Sequence, residues 1–198
     1  MARGRVSPVA LRKLVAVLLL GAWMPTASAQ SLAERVAPCL ACHGEKGQSS
    51  NPEIPSLGAQ LAPYALIQLY MFRGKLRVND IMNDAVKDFT DDDLRTFSDF
   101  LAKLPPPQPA TEGADAARLE RGRVLIRRYR CDICHNPDLA GRDSVPRIAG
   151  QREDFLVKTL REYKANTRTG YDASMADVLQ PIADAEILDL AYYAAHQK

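Results

Sequence analysis

The pattern Cys-x-x-Cys-His occurs twice, as CLACH from Cys39 to His43 and as CDICH from Cys131 to His135, and it uses all four cysteines of the chain. Thiols three positions apart lie on one side of a helical turn, and here a histidine follows directly behind them. Paired cysteines at this spacing also serve as redox dithiols, local disulfides, or half of a four-thiolate zinc site. None of those needs the histidine. A c-type haem does: its vinyl groups form thioethers with the two sulfurs, and the next imidazole becomes the proximal iron ligand. The doubled motif therefore predicts two covalently bound haem c groups. Cys39 and Cys42 would hold one and Cys131 and Cys134 the other, with His43 and His135 on the irons.

The rest of the chain repeats with the motif. IPSLGAQLAPYALIQL lies over VPRIAGQREDFLVKTL, which pairs Pro55 with Pro146, Gln60 with Gln151, Tyr64 with Phe155 and Leu69 with Leu160. Arg77 then meets Arg168, Met82 meets Met175, Asp93 meets Glu186 and Phe100 meets Tyr193. Between the copies, Pro105, Pro106, Pro107 and Pro109 end a helix and favour an extended, semi-rigid spacer. These features predict a domain at 30–104, a linker at 105–117 and a second domain at 118–198. Domains this small have little apolar core of their own, and a porphyrin would fill much of each interior.

Helical periodicity dominates. LAPYALIQLYMFRGK and EDFLVKTLREYKA carry apolar stripes at helical spacing, as do FTDDDLRTFSDFLAKL, with Thr90 as N-cap, and ADAEILDLAYYAAHQ, with Asp184 as N-cap. AARLERGRVLIRRYRC reads as a further helix running into the second motif. No segment alternates with a strand's period over a useful length, so the fold class is all-α.

Each iron needs a sixth ligand if it is to be closed to reactants. Met82 lies 39 positions after His43, and Met175 lies 40 after His135; each precedes its copy's last helix by the same distance. Met71 has Glu162 as its counterpart, fails the symmetry test, and reads as packing. Thioether ligation favours reduced iron and raises the potential. Near Pro55 and Pro146 a backbone carbonyl is well placed to take the other imidazole N–H, although a plain loop proline remains the alternative. Arg77 and Arg168 read either as partners of haem propionates or as solvated surface. His196 reads as a surface residue.

The N-terminus combines Arg3, Arg5, Arg12 and Lys13 with the run LVAVLLLGAW and an Ala-Ser-Ala exit at Ala27 to Ala29. That predicts a cleaved export signal over 1–29, with an uncleaved signal anchor as the alternative. Its removal would leave 22 basic against 24 acidic residues, which takes away the electrostatic support for nucleic-acid binding.

On its two motifs, its methionine pair, the doubled Pro–Gln segments and the proline-bearing linker, the chain resembles a dihaem class I c-type cytochrome, most similar to the cytochrome c4 family. The resemblance covers essentially the whole chain beyond the signal. It implies two all-helical monohaem domains related by a pseudo-twofold axis, with propionates approaching across the interface. It implies Cys39, Cys42, His43 and Met82 for one haem and Cys131, Cys134, His135 and Met175 for the other. It also implies a periplasmic electron carrier, loosely membrane-associated in some members. Electrons would come from a quinol-oxidising complex or a dehydrogenase and pass toward a terminal oxidase, with no small-molecule substrate at the metal. The second motif continues as HNPDLAG where the family often has an early glycine, as Gly44 is in the first copy. Two other employments stand beside this one: the dihaem subunit of a flavocytochrome c type dehydrogenase, and a dihaem peroxidase, against which the methionine pair argues. The arginine-rich helix before the second motif and the acidic run Asp88 to Asp93 read either as docking surfaces or as ordinary solvated faces.

Overall fold

The computed structural model describes residues 1, 30–110, 113–168 and 173–198. The expected export signal thus falls almost entirely outside the described residues. Among them the regular structure is helical, apart from one isolated bridge between Arg142 and Val145. No described helix is long and apolar enough to cross a membrane.

The first copy contributes α1 (Leu32–His43), α2 (Ala62–Arg73), α3 (Asp80–Val86) and α4 (Asp91–Lys103). The second contributes α5 (Ala116–Arg128), α6 (Cys131–His135), α7 (Glu153–Lys164), α8 (Ser174–Leu179) and α9 (Asp184–Ala195). Thr90 caps α4 as expected: its hydroxyl accepts from Asp93 N–H at 3.1 Å, and the Asp93 carboxylate takes Thr90 N–H at 2.9 Å. That reciprocal pair satisfies two donors that a helix start leaves open.

Two local expectations need correction. The helix before the second motif does not run into it. Arg130 adopts a left-handed conformation (φ 57°), ending α5 so that the motif forms its own short helix. A non-glycine residue there costs about 1–2 kcal/mol, so tertiary packing must hold the break. Asp184 is not the cap of α9. Ala183 is, and Glu186 takes its N–H at 2.9 Å, which leaves Asp184 to pair with Arg161 at 2.6 Å.

In the first copy α2 packs on α3 and α4; in the second α9 packs on α5 and α7, with α8 against α7. The second copy's core gathers Leu125, Leu139, Leu156, Ile182, Ile187 and Ala191. Burying each of the larger side chains is worth about 1.5–3 kcal/mol. α5 and α9 approach closely at Gly122, where an added Cβ would sit 2.4 Å from Tyr193 Cβ and 2.5 Å from the Asp189 carbonyl oxygen.

Residues 36–198 form one compact unit, so the halves touch directly. Arg152 reaches the Ser49 carbonyl at 3.1 Å, and Lys158 pairs with Glu53. The proline segment is seated rather than free. Pro107 is buried, the Gln48 amide brackets Gln108, and the Pro105 and Pro107 carbonyls press on Gly58 and Gly150, where a side chain would not fit.

Candidate haem sites

The two motifs are presented alike. Cys39 and Cys42 fall in the last turn of α1, with Cys39 half-buried and Cys42 exposed; Cys131 and Cys134 repeat this on α6. Burial pushes the Cys39 thiol up and the Cys131 thiol to about 11. A redox dithiol needs the reverse, a thiol stabilised as thiolate. Among the described residues no group of three His, Cys, Asp or Glu side chains converges as a metal ion would require, which leaves the four-thiolate zinc reading without its donor set.

Both histidines are buried, at 7 % for His43 and 6 % for His135. His43 Nδ1 donates to the Pro55 carbonyl and His135 Nδ1 to the Pro146 carbonyl, each at 2.9 Å. A carbonyl can only accept, so each ring carries its proton on Nδ1 and keeps the Nε2 lone pair for a metal. Burial, partly opposed by the proline carbonyl, lowers both pKa values and favours that neutral form. The acceptor carbonyl expected near each proline is thus the proline's own.

Met82 and Met175 each lie half-buried in the first turn of a short helix, α3 and α8. Met175 and Cys131 border the same apolar cluster. The hold on the two helices differs. Asn79 accepts from Met82 N–H at 3.0 Å, and the buried Asn83 amide donates to the Phe72 and Arg77 carbonyls at 2.7 and 2.9 Å. The counterpart of Asn83 is Ala176, which has no amide. Met71 is 4 % exposed in the core, a packing residue.

Arg77 and Arg168 are not solvated surface. The Arg168 side chain is 8 % exposed, beside Glu162 at 3.2 Å and over the Tyr163 ring at 5.3 Å. Arg77 donates to Gln68 at 2.5 Å; burial and then the neighbouring Arg168 push its guanidinium down to about 10. Burial works against the Arg168 charge too, but Tyr163, Tyr64 and Glu162 outweigh it and hold its pKa up. Among the described residues these two adjacent guanidinium groups have Glu162 as their shared carboxylate. Buried polar atoms without a partner include Arg147 Nε, next to Pro146, and Thr159 Oγ1, the repeat counterpart of Gln68. Among the described residues this surplus of buried donors and positive charge fits anionic propionates, so the residues present suit haem c in two respects: anchoring thiols with a neutral imidazole, and donors for carboxylates.

The arginine-rich helix proves to be largely engaged at home. Arg118 and Arg121 bind Asp189 at 3.4 and 2.7 Å, Arg118 also binds Glu153 at 3.0 Å, Arg128 binds Glu186 at 3.4 Å, and Arg123 pairs with Glu120. Four of its six arginines therefore serve α5 or its neighbours rather than a partner. In the acidic run, Asp93 closes the capping box of α4 with Thr90, and Asp91 binds Arg73 at 2.7 Å. His196 is half-buried, not fully on the surface; it bonds the Tyr192 carbonyl at 2.7 Å and lies against the Tyr192 ring. Sequence reasoning paired Gln60 with Gln151 but gave them no role, and both turn out to be buried polar residues.

No family model matches the chain. It is 29 % identical to a cytochrome c4 from Thiocapsa roseopersicina, over 78 % of this chain and 84 % of that one. It is 28 % identical to a thiosulfate dehydrogenase electron acceptor from Thiomonas intermedia, over 96 % of this chain and 93 % of that one. The reduced recombinant cytochrome c4 of Pseudomonas stutzeri superposes with a TM-score of 0.76 at 25 % identity, covering 86 % of this chain and all of that one.

Proposed function

We propose, from the premise that this chain belongs to the cytochrome c4 family of dihaem class I c-type cytochromes, a specific employment for it and a specific set of haem ligands. The chain is an electron carrier and not an enzyme, with two covalently bound haem c groups and redox proteins as partners. Cys39, Cys42, His43 and Met82 hold the first haem and Cys131, Cys134, His135 and Met175 the second. The haem domains run over 30–104 and 118–198, joined by 105–117. When bound, each haem takes up and returns one electron. His43 and His135 would offer Nε2 to iron while Nδ1–H stays on a proline carbonyl, Met82 and Met175 would supply thioether ligands, and Arg77 and Arg168 would balance the propionates. With those residues in these roles the polypeptide would leave no open metal position for a substrate, and the bound group would supply outer-sphere electron transfer.

In this reading the chain works in the periplasm after loss of residues 1–29, taking electrons from a quinol-oxidising complex or dehydrogenase and passing them toward a terminal oxidase. The observation that carries it is the matched pair of buried, Nδ1-protonated histidines behind doubled thiols. A second reading, acceptor to one dedicated dehydrogenase, draws on the Thiomonas relative, which aligns over almost the whole chain. Redox titration with ligand-sensitive spectra tests the ligand set: two six-coordinate His/Met haems are expected, and a five-coordinate haem would overturn it. Reduction kinetics with purified donors separate the two employments, since a dedicated acceptor reacts rapidly with one dehydrogenase and slowly with other donors.

A further inference from the structure

The buried amides of Gln60 and Gln151 each cross to the opposite half and bind the peptide unit that carries the other half's histidine bond. Ser56 N–H donates to Gln151 Oε1 at 2.8 Å, and Gln151 Nε2 donates back to the Ser56 carbonyl at 2.8 Å. Arg147 N–H donates to Gln60 Oε1 at 2.9 Å, and Gln60 Nε2 returns to the Arg147 carbonyl at 3.1 Å. The same Oε1 atoms also accept from Leu61 N–H and Arg152 N–H, each at 3.0 Å, so each amide is locked to its own backbone as well. A flipped amide would set N–H against N–H at two places, so the orientation follows from the partners.

Ser56 N–H belongs to the same peptide bond as the Pro55 carbonyl, the acceptor of His43 Nδ1; Arg147 N–H shares its peptide bond with the Pro146 carbonyl, the acceptor of His135 Nδ1. The peptide group is conjugated, so an N–H that donates makes its carbonyl a better acceptor. Gln60 and Gln151 are both 7 % exposed and Ser56 is 3 % exposed, so water cannot take over the bond and the local dielectric is low. A stronger bond at Nδ1 makes the imidazole a better donor to iron and favours the oxidised state.

We propose that Gln60 and Gln151 are positioning residues acting across the boundary: each sets the reduction potential of the haem in the other half by polarising the peptide that holds its histidine. Docking of the halves and the two potentials are then coupled through two reciprocal amides. This rests on the reading of His43 and His135 as iron ligands.

The test is a haem-resolved redox titration of the holo-protein, with the methyl resonances of each haem followed by NMR. Gln151→Leu is expected to raise the potential of the haem on Cys39 and Cys42. The reduction equilibrium should change about two- to tenfold, at most about 59 mV for one electron, while the haem on Cys131 and Cys134 stays within about twofold. Gln60→Leu gives the mirror image. If a leucine variant does not assemble, Gln151→Glu and Gln60→Glu, protonated so that the O–H replaces the amide donor to the Ser56 or Arg147 carbonyl, keep a weaker acceptor oxygen and should raise the opposite haem's potential by less than leucine does. A residue that only glued the halves together would lower stability without this crossed pattern. A shift confined to the variant's own half, equal shifts in both, or no shift overturns the proposal. Wild-type spectra separate the two levels: absent imidazole ligation sinks both readings, whereas normal ligation without the crossed shift sinks this inference alone.

Discussion

Replacing Arg77 with glutamine asks whether haem carboxylates stand beside the buried arginine pair. On the polypeptide alone the substitution should stabilise. The Arg77 guanidinium, pushed down to about 10 from the ordinary arginine range, bears a folded-state penalty of roughly 3 kcal/mol at 1.36 kcal/mol per unit. The penalty is full below about pH 10 and lifts as the pH rises from there toward the ordinary arginine range, where the unfolded chain still holds the proton. Burial is the larger cause and Arg168 the next, with Glu162 a carboxylate that opposes them. Propionates would invert the sign. One opposite charge at about 4 Å through an effective dielectric of about 20 contributes about 4 kcal/mol, more than the penalty. Removing the arginine would then leave a carboxylate facing only Arg168, so we expect Arg77→Gln to cost about 1–4 kcal/mol in the haem-loaded protein. Urea unfolding at pH 7 followed by haem absorbance measures this. Lys87→Gln is the control: its ion pair with Asp84 is exposed on both sides and should matter by less than about 1 kcal/mol. A haem-loaded Arg77→Gln protein more stable than wild type would refute the reasoning.

Other expectations are independent of that one. Met82→Ala and Met175→Ala should each abolish the methionine–iron absorption of one haem, lower that haem's potential and open its iron to added imidazole; a variant that keeps both bands would remove its methionine from the ligand set. Asn83→Ala should cost about 1–3 kcal/mol, because the Phe72 and Arg77 carbonyls lose a buried donor, and should speed imidazole binding at the first haem alone. Unchanged ligand kinetics would show that Asn83 does not restrain Met82. Gly122→Ala should destabilise by about 1–2 kcal/mol despite a gain in helix propensity, since its Cβ would meet Tyr193 and the Asp189 carbonyl; a stabilised variant in urea unfolding would contradict the close α5–α9 contact.

Much of the fold was legible because its signals are short-range. Thr90 with Asp93 three positions on is a cap written in four residues, and the structure has it. The same reasoning failed at Asp184, where Glu186 and Arg161 together shifted the helix start by one residue. It also failed at Arg130, whose left-handed backbone lets the second motif turn away from α5. The arginine-rich stretch reads in the sequence as a docking surface or as an ordinary solvated face; acids on α9 and α7 claim three of its six arginines and Glu120 of the same helix a fourth, and the acids on α9 and α7 lie about seventy residues or less away along the chain.

What the amino-acid order determined by itself is the chemistry: thiol spacing, a histidine behind it, a methionine at matched distance and two copies of each, all defined by covalent adjacency or repeat register. What only the folded chain decided is which groups lose water and which meet across the boundary. Arg77 and Arg168 became buried neighbours, and Gln60 and Gln151 found peptide groups 87 and 95 positions away. Such pairings follow from the docking of two apolar surfaces, and no local pattern encodes that.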